Sequence, residues 1–363
     1  MKDPFAKSDV KIALIGGGTG SFTMLSALKN YSSQIAAIVN MADDGGSTGV
    51  LRDELGTLPP GDVRQCLVAL SDSPKMRDLF NYRFDEGTFT GHSFGNVFLT
   101  ALEKMTGGDF SGAVETASEI LHIRGTVIPA TLDNVRLKME WPENSLVITN
   151  QRVIDAQYFK YNPRRAKLSL TPAAHPNPRA LAAIEQADIV IVAPGDVYTS
   201  VGPLLVIDGI GEALAKTQAL TVYVANLVSK DGQTNGFTVS DHAAEIERFA
   251  GYPFLDYVLY NKQMPTKEVA KRYKKEKSFM TKVDLPMLKK QHYQAIGGDF
   301  LGQMASRNAA DVLIKPRSLI RHNADAVVQQ ILALYQNRKG RESHENYESH
   351  KNHRQSNAQK GKR

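Results

Sequence analysis

One stretch of glycines near the start of the chain restricts the fold more than any other feature of the sequence. The letters GGGTGS at residues 16–21 follow a short apolar segment, KIALI, at residues 11–15. An apolar run that ends in glycines is typical of a buried parallel strand. Residues 21–30 then have the pattern of a helix, and residues 35–40 that of a second strand. A strand, a glycine turn, a helix and a strand within about 30 residues predict a βαβ unit.

Similar apolar strands recur later in the chain, at residues 189–193, 221–227 and 255–260, with helical patterns between them. This alternation predicts an α/β fold with a Rossmann-like, doubly wound and mainly parallel sheet. Residues 62–122 are rich in helical pattern, and residues 91–105 form the clearest helix. From residue 126 to about 171 apolar and polar residues alternate, which predicts a small antiparallel β-rich subdomain.

We therefore divide the chain into a nucleotide-binding core, an insertion and a tail. The core comprises residues 9–125 and 178–337, and the β-rich subdomain comprises residues 126–177. Residues 338–363 are rich in Asn, His, Lys and Ser and contain almost no apolar residues. Such a segment cannot bury enough apolar surface to fold, so we predict a disordered basic tail.

The net charge of +6 belongs mainly to this tail. Residues 338–363 carry eight of the 44 Lys and Arg residues and three of the 38 Asp and Glu residues. The remaining 36 basic and 35 acidic residues nearly balance, so the body of the protein is close to neutral. A nucleic-acid-binding domain would be expected to carry the basic surplus itself, and we therefore predict no nucleic-acid partner.

The single cysteine, Cys66, excludes an intramolecular disulfide and a metal site of several thiolates. One cysteine in 363 residues also fits a reducing cytoplasm. The opening MKDPFAKSD contains no apolar stretch, and no apolar run approaches the roughly 18 residues of a membrane helix. We therefore expect a cytoplasmic protein with neither a signal peptide nor a membrane span.

The glycine loop predicts a phosphate-binding site. Glycines between a strand and a helix allow backbone N–H groups to approach a phosphate, and the helix N-terminus adds partial positive charge. Two common fingerprints fail, because no lysine follows as in a P-loop and Ser21 stands where a dinucleotide fingerprint needs glycine. Asn40 also replaces the acid that would hold a ribose. The alternative is a tight turn without a ligand, but four glycines in five residues exceed what a turn requires.

A second polar loop, DDGGSTG at residues 43–49, follows the second predicted strand. It should therefore lie at the same carboxyl edge of the sheet as the glycine loop. Asp43 and Asp44 could hold Mg²⁺ or accept hydrogen bonds from ribose hydroxyls, and Ser47 and Thr48 could donate to phosphate. The alternative interpretation is a solvated turn with an Asp cap.

Two helix starts and a later loop add further candidates. Asp62 follows Pro59-Pro60-Gly61 and fits an N-cap, with Gln65 completing a capping box. His92 and Asn96 are four residues apart on the next predicted helix and so share a face. A structural role explains each of these residues as well as a functional one does.

The loop APGDVYTS at residues 193–200 repeats the chemistry of the first loop after another apolar strand. Gly195, Asp196 and Thr199 are its candidate contacts, and Asn226 ends the next strand, where an amide can read a base or a ribose. The alternative is that Pro-Gly-Asp forms an ordinary turn.

Together these motifs resemble the YvcK/CofD family, and within it the YvcK-like branch of gluconeogenesis factors. The resemblance covers about residues 11–334 and is specific in the order and spacing of its motifs. These are GGGTGS at 16–21, DDGGSTGVLR at 43–52, PPGDVRQCL at 59–67, GHSFGNVFL at 91–99 and ADIVIVAPGDVYTSVGPLL at 187–205. Arg321-His322 resembles a further signature, although Asn323 stands where an acid is expected. Residues 226–236, NLVSKDGQTNG, depart from the family pattern N-x-M-T-Q-P-G-E-T.

The resemblance implies a Rossmann-like fold and two kinds of activity. CofD members transfer 2-phospho-L-lactate to a deazaflavin with Mg²⁺ and a nucleotide-linked donor. YvcK-like members bind a UDP-sugar such as UDP-N-acetylglucosamine, with NAD(P) as a further ligand. They adjust carbon flow to cell-wall precursors and cell shape on gluconeogenic carbon, which implies a protein partner in cell-wall precursor synthesis.

The leading hypothesis is a non-catalytic regulator that binds a nucleotide-sugar, and the alternative is a Mg²⁺-dependent transferase with the metal on Asp43 and Asp44. The residues alone do not distinguish ligand binding from catalysis. They also do not show whether the protein forms a homo-oligomer. The expected ligand contacts are Gly16, Gly17, Gly18, Thr19, Gly20, Ser21, Asp43, Asp44, Ser47, Thr48, Asp62, His92, Asn96, Gly195, Asp196, Thr199, Asn226 and Arg321.

Overall fold

The computed structural model describes residues 9–275, 278–302 and 320–341. Its strands form one seven-stranded and one three-stranded sheet. In chain order they are β1 Ile12–Gly16, β2 Ile35–Val39, β3 Thr126–Pro129, β4 Arg136–Trp141, β5 Leu146–Thr149, β6 Lys167–Thr171, β7 Ile189–Val192, β8 Leu220–Val224, β9 Tyr257–Asn261 and β10 Gln294–Gly298.

Helices follow most of these strands. They are α1 Gly18–Leu28, α2 Gly46–Leu55, α3 Pro60–Leu70, α4 Pro74–Asn81, α5 Phe94–Met105, α6 Phe110–Leu121, α7 Gln151–Ala156, α8 Pro178–Glu185, α9 Gly202–Leu205, α10 Ile210–Lys216, α11 Val239–Ala250, α12 Lys267–Lys275, α13 Leu285–Leu288 and α14 at 324–341.

The large sheet is parallel throughout, with the strand order β10-β9-β8-β7-β1-β2-β3. The chain builds outward from β1 through β2 and β3, and then returns to the other side of β1 with β7. The strand order therefore reverses between β1 and β7, and a crevice opens at their carboxyl ends. This confirms the predicted Rossmann-like α/β fold.

The apolar strands are explained by burial on both faces of the sheet. In β1, Ala13 and Ile15 belong to the core cluster on one face, whereas Ile12 and Leu14 belong to the cluster on the other. Helices α1, α3, α5, α6 and α14 contribute to the second cluster, and α8 to α11 contribute to the first. A strand covered by helices on both faces has no polar side, which is why its residues do not alternate.

The three-stranded sheet is antiparallel and has β4 at its centre. Leu137, Met139 and Trp141 are buried on one face of β4, while the residues between them are half-buried. All three belong to the same core cluster as one face of the parallel sheet. The insertion therefore packs onto the main core and shares it.

Four local expectations are wrong. Residues 126–129 were expected in the antiparallel subdomain, but β3 pairs in parallel with β2 at the edge of the large sheet. Asp62 is not an N-cap, because α3 begins at Pro60 with Pro59 at the cap position and no capping box. His92 does not share a helix with Asn96, because α5 begins at Phe94, where the Ser93 hydroxyl accepts from the Asn96 backbone N–H. Helix α1 also begins at Gly18, earlier than residue 21.

The predicted tail is helical where it begins. Helix α14 continues to residue 341, so the prediction of disorder from residue 338 is wrong for residues 338–341. Arg338 donates to the Gln218 carbonyl at 3.1 Å and lies 3.5 Å from the Asp256 carboxylate. These contacts supply the partners that the composition of the segment did not reveal. Residues 342–363 lie outside the described part of the chain.

Among the described helices, none is individually long and apolar enough to cross a membrane. One pair of short segments, Val197–Leu205 and Ile210–Lys216, reaches that length and composition only jointly, with a bend of 75° between them.

Helix α14 is attached to the amino edge of the sheet through Asp188. The Tyr335 hydroxyl donates to Asp188 Oδ1 at 2.7 Å, and Tyr335 is 7% exposed. We predict that Tyr335→Phe lowers the free energy of unfolding by about 1 kcal/mol, the usual net value of one such hydrogen bond. Urea denaturation measures this change, with Tyr252→Phe, at a 45% exposed position, as the control. Equal stability of the two variants would contradict the prediction.

Candidate functional site

Four helices begin at the carboxyl edge of the sheet, next to the crevice between β1 and β7. Helix α1 follows β1 directly, and α2 follows the loop after β2. The start of α3 touches both, because a Cβ on Gly61 would lie 2.7 Å from Asp43 Oδ2 and a Cβ on Gly17 would overlap the Asp62 carboxylate. The start of α5 joins α2, since the Asn96 amide donates to Ser47 Oγ at 3.2 Å. Converging helix N-termini favour a negatively charged ligand.

The glycines of the first loop have two different functions. A Cβ on Gly20 would overlap the Pro194 carbonyl, and one on Gly16 would lie 3.0 Å from Ala193 Cβ. These two glycines therefore allow α1 to pack against the exit of β7. Gly18 has φ +62°, and a Cβ there would meet nothing closer than Asp62 Oδ1 at 3.9 Å. Gly18 thus combines a left-handed backbone with open space in front of it.

The Ser21 side chain of this loop points back into the protein. The Ser21 side chain is fully buried, and its hydroxyl donates to the Gly17 carbonyl at 3.4 Å. The Thr19 carbonyl accepts from the Thr23 hydroxyl at 2.9 Å, as in a helix interior. Backbone groups, rather than the Ser21 hydroxyl, are therefore what the loop offers to a ligand.

The adjacent carboxylates Asp43 and Asp44 point in different directions. Asp43 Oδ1 accepts from the Gly45 N–H at 3.1 Å, and its Oδ2 faces the start of α3. Asp44 is buried, accepts from the Arg152 N–H at 2.6 Å and lies 3.6 Å from Arg136 Nη1. Asp44 thus links the second loop to the inserted subdomain.

This divergence bears on the proposed metal site. Asp44 is committed to a backbone N–H and an arginine, so it does not fit a magnesium ion shared with Asp43. Asp43 and Asp62 fit better, since both carboxylates lie at the first turn of α3. Asp43 Oδ2 faces Gly61, and the Asp62 carboxylate lies against Gly17 of the glycine loop. Within the described residues, no group of three or more His, Cys, Asp or Glu could hold a metal. A magnesium ion here would therefore depend on ligand phosphates for part of its coordination.

Arg52, the last residue of the DDGGSTGVLR motif, holds the second loop in place. It is buried and donates to the Asp43 carbonyl at 2.9 Å and to the Val135 carbonyl at 2.7 Å. Burial, together with the neighbouring Arg136, lowers the pKa of Arg52 to about 10. The residue therefore stays charged at neutral pH and joins the loop to the start of β4. The sequence motif includes this arginine, but its role depends on contacts that only the structure shows.

Ser47, His92 and Asn96 come together although His92 lies outside the helix. Ser47 Oγ is 3.0 Å from His92 Nδ1 and accepts from the Asn96 amide. The Thr48 hydroxyl instead abuts Gly61 of α3, in a buried position. The structure thus groups three of the predicted residues at the start of α2 and places the fourth in a packing contact.

The second predicted loop is held by its own hydrogen bonds. Asp196 Oδ1 accepts from the N–H groups of Tyr198 and Thr199 at 3.1 and 3.2 Å. The Asn226 amide donates to the Gly195 carbonyl at 2.6 Å, and its oxygen accepts from the Gly195 N–H at 3.3 Å. Asn226 therefore locks the exits of β7 and β8 together, with both ends of its side chain occupied.

Lys230 joins this loop to the inserted subdomain. Its ammonium lies 2.6 Å from Asp196 Oδ2 and also contacts Asp155, to which the Thr199 hydroxyl donates at 3.2 Å. Burial opposes the charge on Asp196, but Lys230 outweighs it and lowers the pKa of that carboxyl below its usual value. Burial likewise opposes the charge on Lys230, and the two carboxylates outweigh it and raise the pKa of Lys230.

Lys230 and Asp155 were not among the predicted site residues. Lys230 lies in the segment that departs from the family pattern, and Asp155 is 75 residues earlier in the chain. In the same segment, the Gln233 amide donates to the Ile154 carbonyl at 2.8 Å. The available signal in the sequence was the departure of this segment from the family pattern, because substituted residues make different contacts.

Arg321 lies beside the exit of β8, at the same edge of the sheet. Its neighbour His322 is half-buried and donates from Nε2 to the Ala225 carbonyl at 3.1 Å. Burial lowers the pKa of His322 to about 4, so this ring is neutral at pH 7. Arg321 donates to the Ile320 carbonyl at 2.9 Å. Arg321 and the glycine loop both belong to the carboxyl edge of the described sheet.

We predict that Lys230→Met lowers the free energy of unfolding at pH 7 by about 1–3 kcal/mol, because it leaves Asp196 charged without a cation in a mostly buried position. Since the folded pKa of Asp196 is depressed, its stabilising contribution is present above the ordinary Asp pKa of about 3.9 and is lost as the pH falls through the folded value. The stability difference between wild type and variant should therefore shrink below about pH 4.

Denaturant unfolding at a series of pH values measures this difference. Lys216→Met is the matched control, because it removes only a solvent-exposed ion pair with Glu212, and such pairs contribute little to stability. An effect of Lys230→Met as small as that of the control would contradict the prediction.

Comparisons with known proteins identify the family of the chain. The family profile described as 2-phospho-L-lactate transferase CofD matches residues 12–301. The gluconeogenesis factor of Bacillus subtilis is 39% identical over 289 residues, covering 79% of this chain and 89% of that protein. The gluconeogenesis factor of Halalkalibacterium halodurans is 37% identical over 324 residues, covering 88% and 95%.

A crystal structure of a UPF0052 family protein from Bacillus halodurans superposes with a TM-score of 0.79 at 36% identity, covering 89% of this chain and 99% of that one. The family profile spans most of the chain, and relatives named gluconeogenesis factor align along nearly all of the described fold. The chain therefore belongs to the CofD family, on the branch of the gluconeogenesis factors.

Proposed function

We propose that the protein binds a nucleotide-sugar of the UDP-N-acetylglucosamine type in the crevice between β1 and β7. The observation that carries this proposal is Gly18, whose left-handed backbone faces open space at the first turn of α1. A pyrophosphate there would meet backbone N–H groups and the partial positive charge of several helix starts. The polar crevice at a strand-order reversal is also where open α/β sheets bind their ligands.

The carboxylates near the glycine loop indicate how the rest of the ligand would bind. Asp62 lies against Gly17, and Asp43 lies against the start of α3. Two carboxylates repel a bare phosphate, so they suit the hydroxyl groups of a ribose or a sugar, which donate hydrogen bonds. A nucleotide-sugar supplies both an anionic centre and such hydroxyl groups.

A regulator fits the described residues better than a catalyst that uses a covalent nucleophile. Cys66 is fully buried, and burial raises the pKa of its thiol, which leaves it unreactive. The relatives that align along the chain are named gluconeogenesis factors. We therefore extend the proposal to a cytoplasmic regulator of carbon flow to cell-wall precursors and cell shape on gluconeogenic carbon, acting through a protein partner.

The second candidate is a Mg²⁺-dependent transferase of a phosphate-linked group, favoured by the pair Asp43 and Asp62 at the start of α3. A magnesium ion would neutralise phosphate charge during group transfer. Asp43 and Asp62 would hold the ion together with the donor phosphates, and the backbone around Gly18 would orient them. The match to the 2-phospho-L-lactate transferase profile supports this alternative.

NAD(P) is a weaker candidate ligand. Asn40 stands where a dinucleotide fold places its ribose-binding acid, and both ends of its amide are occupied. Its oxygen accepts from the Ala42 N–H at 3.0 Å, and its nitrogen donates to the Thr199 carbonyl at 3.4 Å. Asn40 thus joins the two halves of the crevice. Because its amide already has these partners, it has less capacity to form hydrogen bonds to a ribose.

We predict that Gly18→Val abolishes binding of UDP-N-acetylglucosamine in isothermal titration calorimetry, because its two methyl groups fill the open space before α1. Gly56→Val is the matched control, since Gly56 has φ +64° and open surroundings at the far end of α2. Both variants carry the same backbone strain, but only the first blocks the crevice. Unchanged affinity in Gly18→Val, with the fold retained, would place the phosphate elsewhere.

Asp43→Asn and Asp62→Asn distinguish the two candidate functions. For a ligand held by hydroxyl groups, we expect a roughly tenfold to hundredfold loss of affinity that is the same in Mg²⁺ and in EDTA. In a metal-dependent transferase, wild-type binding requires Mg²⁺ and the variants lose that dependence. Calorimetry in both buffers measures the difference, with Asp53→Asn, whose side chain is 62% exposed, as the control. Magnesium-dependent binding in the wild type would favour the transferase.

A further inference from the structure

A line of hydrogen bonds runs from the interior of the helical region to His92. Arg64 donates to Asn81 Oδ1 at 2.6 Å and to Asn96 Oδ1 at 2.9 Å. The Asn96 amide nitrogen donates to Ser47 Oγ at 3.2 Å, and Ser47 Oγ lies 3.0 Å from His92 Nδ1. Four helices, α2, α3, α4 and α5, supply four of these residues, and His92 lies in the segment before α5.

The chemistry of Arg64 sets the direction of every bond in this line. A guanidinium can only donate, so Asn96 must present its oxygen to Arg64 and its nitrogen to Ser47. Ser47 Oγ then accepts from Asn96 and retains its own proton to donate. Among the described contacts of the Ser47 hydroxyl, His92 Nδ1 is the atom able to accept that proton. A neutral His92 therefore carries its proton on Nε2.

Burial makes this direction costly to reverse. Arg64, Asn96 and Ser47 are 8%, 4% and 5% exposed. Turning the Asn96 amide would set its N–H groups against the guanidinium and leave buried donors unpaired, which is the expensive arrangement for polar groups. The Asn96 backbone is itself held by the Ser93 cap at 3.3 Å. The preference of His92 for the Nε2–H tautomer is therefore set by buried residues of the fold.

We propose that this relay makes His92 a fixed hydrogen-bond donor, which presents Nε2–H to the phosphate of the ligand beside the start of α2. His92 is half-buried, and within the described residues its Nε2 has no hydrogen-bond partner. The ligand part of this assignment rests on the proposed nucleotide-sugar binding. Ser47, Asn96 and Arg64 are positioning residues that act through His92.

Asn96→Asp reverses the relay without removing a link. A carboxylate accepts from Arg64 with one oxygen and from the Ser47 hydroxyl with the other. Ser47 Oγ then accepts from His92, so the imidazole proton moves to Nδ1. Nitrogen-15 NMR of the ligand-free protein under mildly alkaline conditions reports the tautomer directly. We expect the Nε2–H form in the wild type and the Nδ1–H form in Asn96→Asp. The ring of His175, which pairs with Asp133 at 3.0 Å, serves as the unchanged internal reference.

Affinity for UDP-N-acetylglucosamine tests the donor role. We expect Asn96→Asp to weaken binding at least tenfold, in line with the loss of a hydrogen bond to a charged group. Ser47→Ala should weaken binding less, because it removes the bias without reversing it. Asn30→Asp adds the same charge at the exposed far end of α1 and should leave affinity unchanged. His92→Gln keeps an amide donor near the Nε2 position, so Asn96→Asp should cost markedly less in that background.

The outcomes separate this assignment from the proposed function. An Nδ1–H tautomer in the wild type overturns the relay, whether or not a ligand binds. The expected tautomers combined with equal loss from Asn96→Asp in both backgrounds overturn the donor role, while nucleotide-sugar binding stands. Absence of binding to the wild type overturns the proposed function and the ligand part of this assignment together, and the tautomer result still decides the relay.

Discussion

The close approach of Gly20 to the Pro194 carbonyl is the contact on which the site depends. No side chain could be accommodated there, because any Cβ would occupy the position of the carbonyl oxygen. The contact brings the first turn of α1 against the exit of β7 and closes the seam where the strand order reverses. Asn40 and Asn226 reinforce the same seam through hydrogen bonds to backbone groups of the loop after β7. The crevice is therefore shaped by backbone packing, and the side chains around it are arranged on a rigid frame.

The inserted subdomain is tied to this frame at two separate points. Arg136 and Arg152 meet Asp44 on the second loop, and Asp155 meets Lys230 on the loop after β8. Both loops border the crevice, one on each side of the β1–β7 seam. The insertion thus spans the two halves of the site, and polar contacts connect it to both loops.

Much of the fold could be predicted because its signals are local. Strands buried on both faces appear as continuous apolar runs, and a glycine-rich connection shows where the first helix begins, as β1 and α1 illustrate. The edge strand β3 was misassigned because four residues carry too little periodicity to distinguish parallel from antiparallel pairing. Asp62 was read as a cap because its spacing to Gln65 fits that motif, whereas Pro60, two residues earlier, starts the helix.

The candidate site, like the fold, could be predicted only in part. The glycine loop and the DDGG turn were placed correctly at one edge of the sheet, since connections after parallel strands must meet there. What each side chain does could not be predicted, because it depends on partners far away in sequence. Asp44 turns towards Arg136, and Asp196 turns towards Lys230 and the backbone N–H groups of Tyr198 and Thr199, as a result of tertiary packing.

The contacts of Asp188 bring the first strand and the last described helix close together, which bears on how the chain could be reconnected. Its carboxylate accepts from the Lys11 N–H at 2.9 Å and from the Tyr335 hydroxyl, so the first strand and the last described helix meet at one side chain. This meeting point lies at the amino edge of the sheet, opposite the crevice. A short peptide could join the two ends there, and new termini could be opened in a surface loop, as in a circular permutation. The order in which the elements are synthesised is thus separable from the architecture that forms the binding crevice.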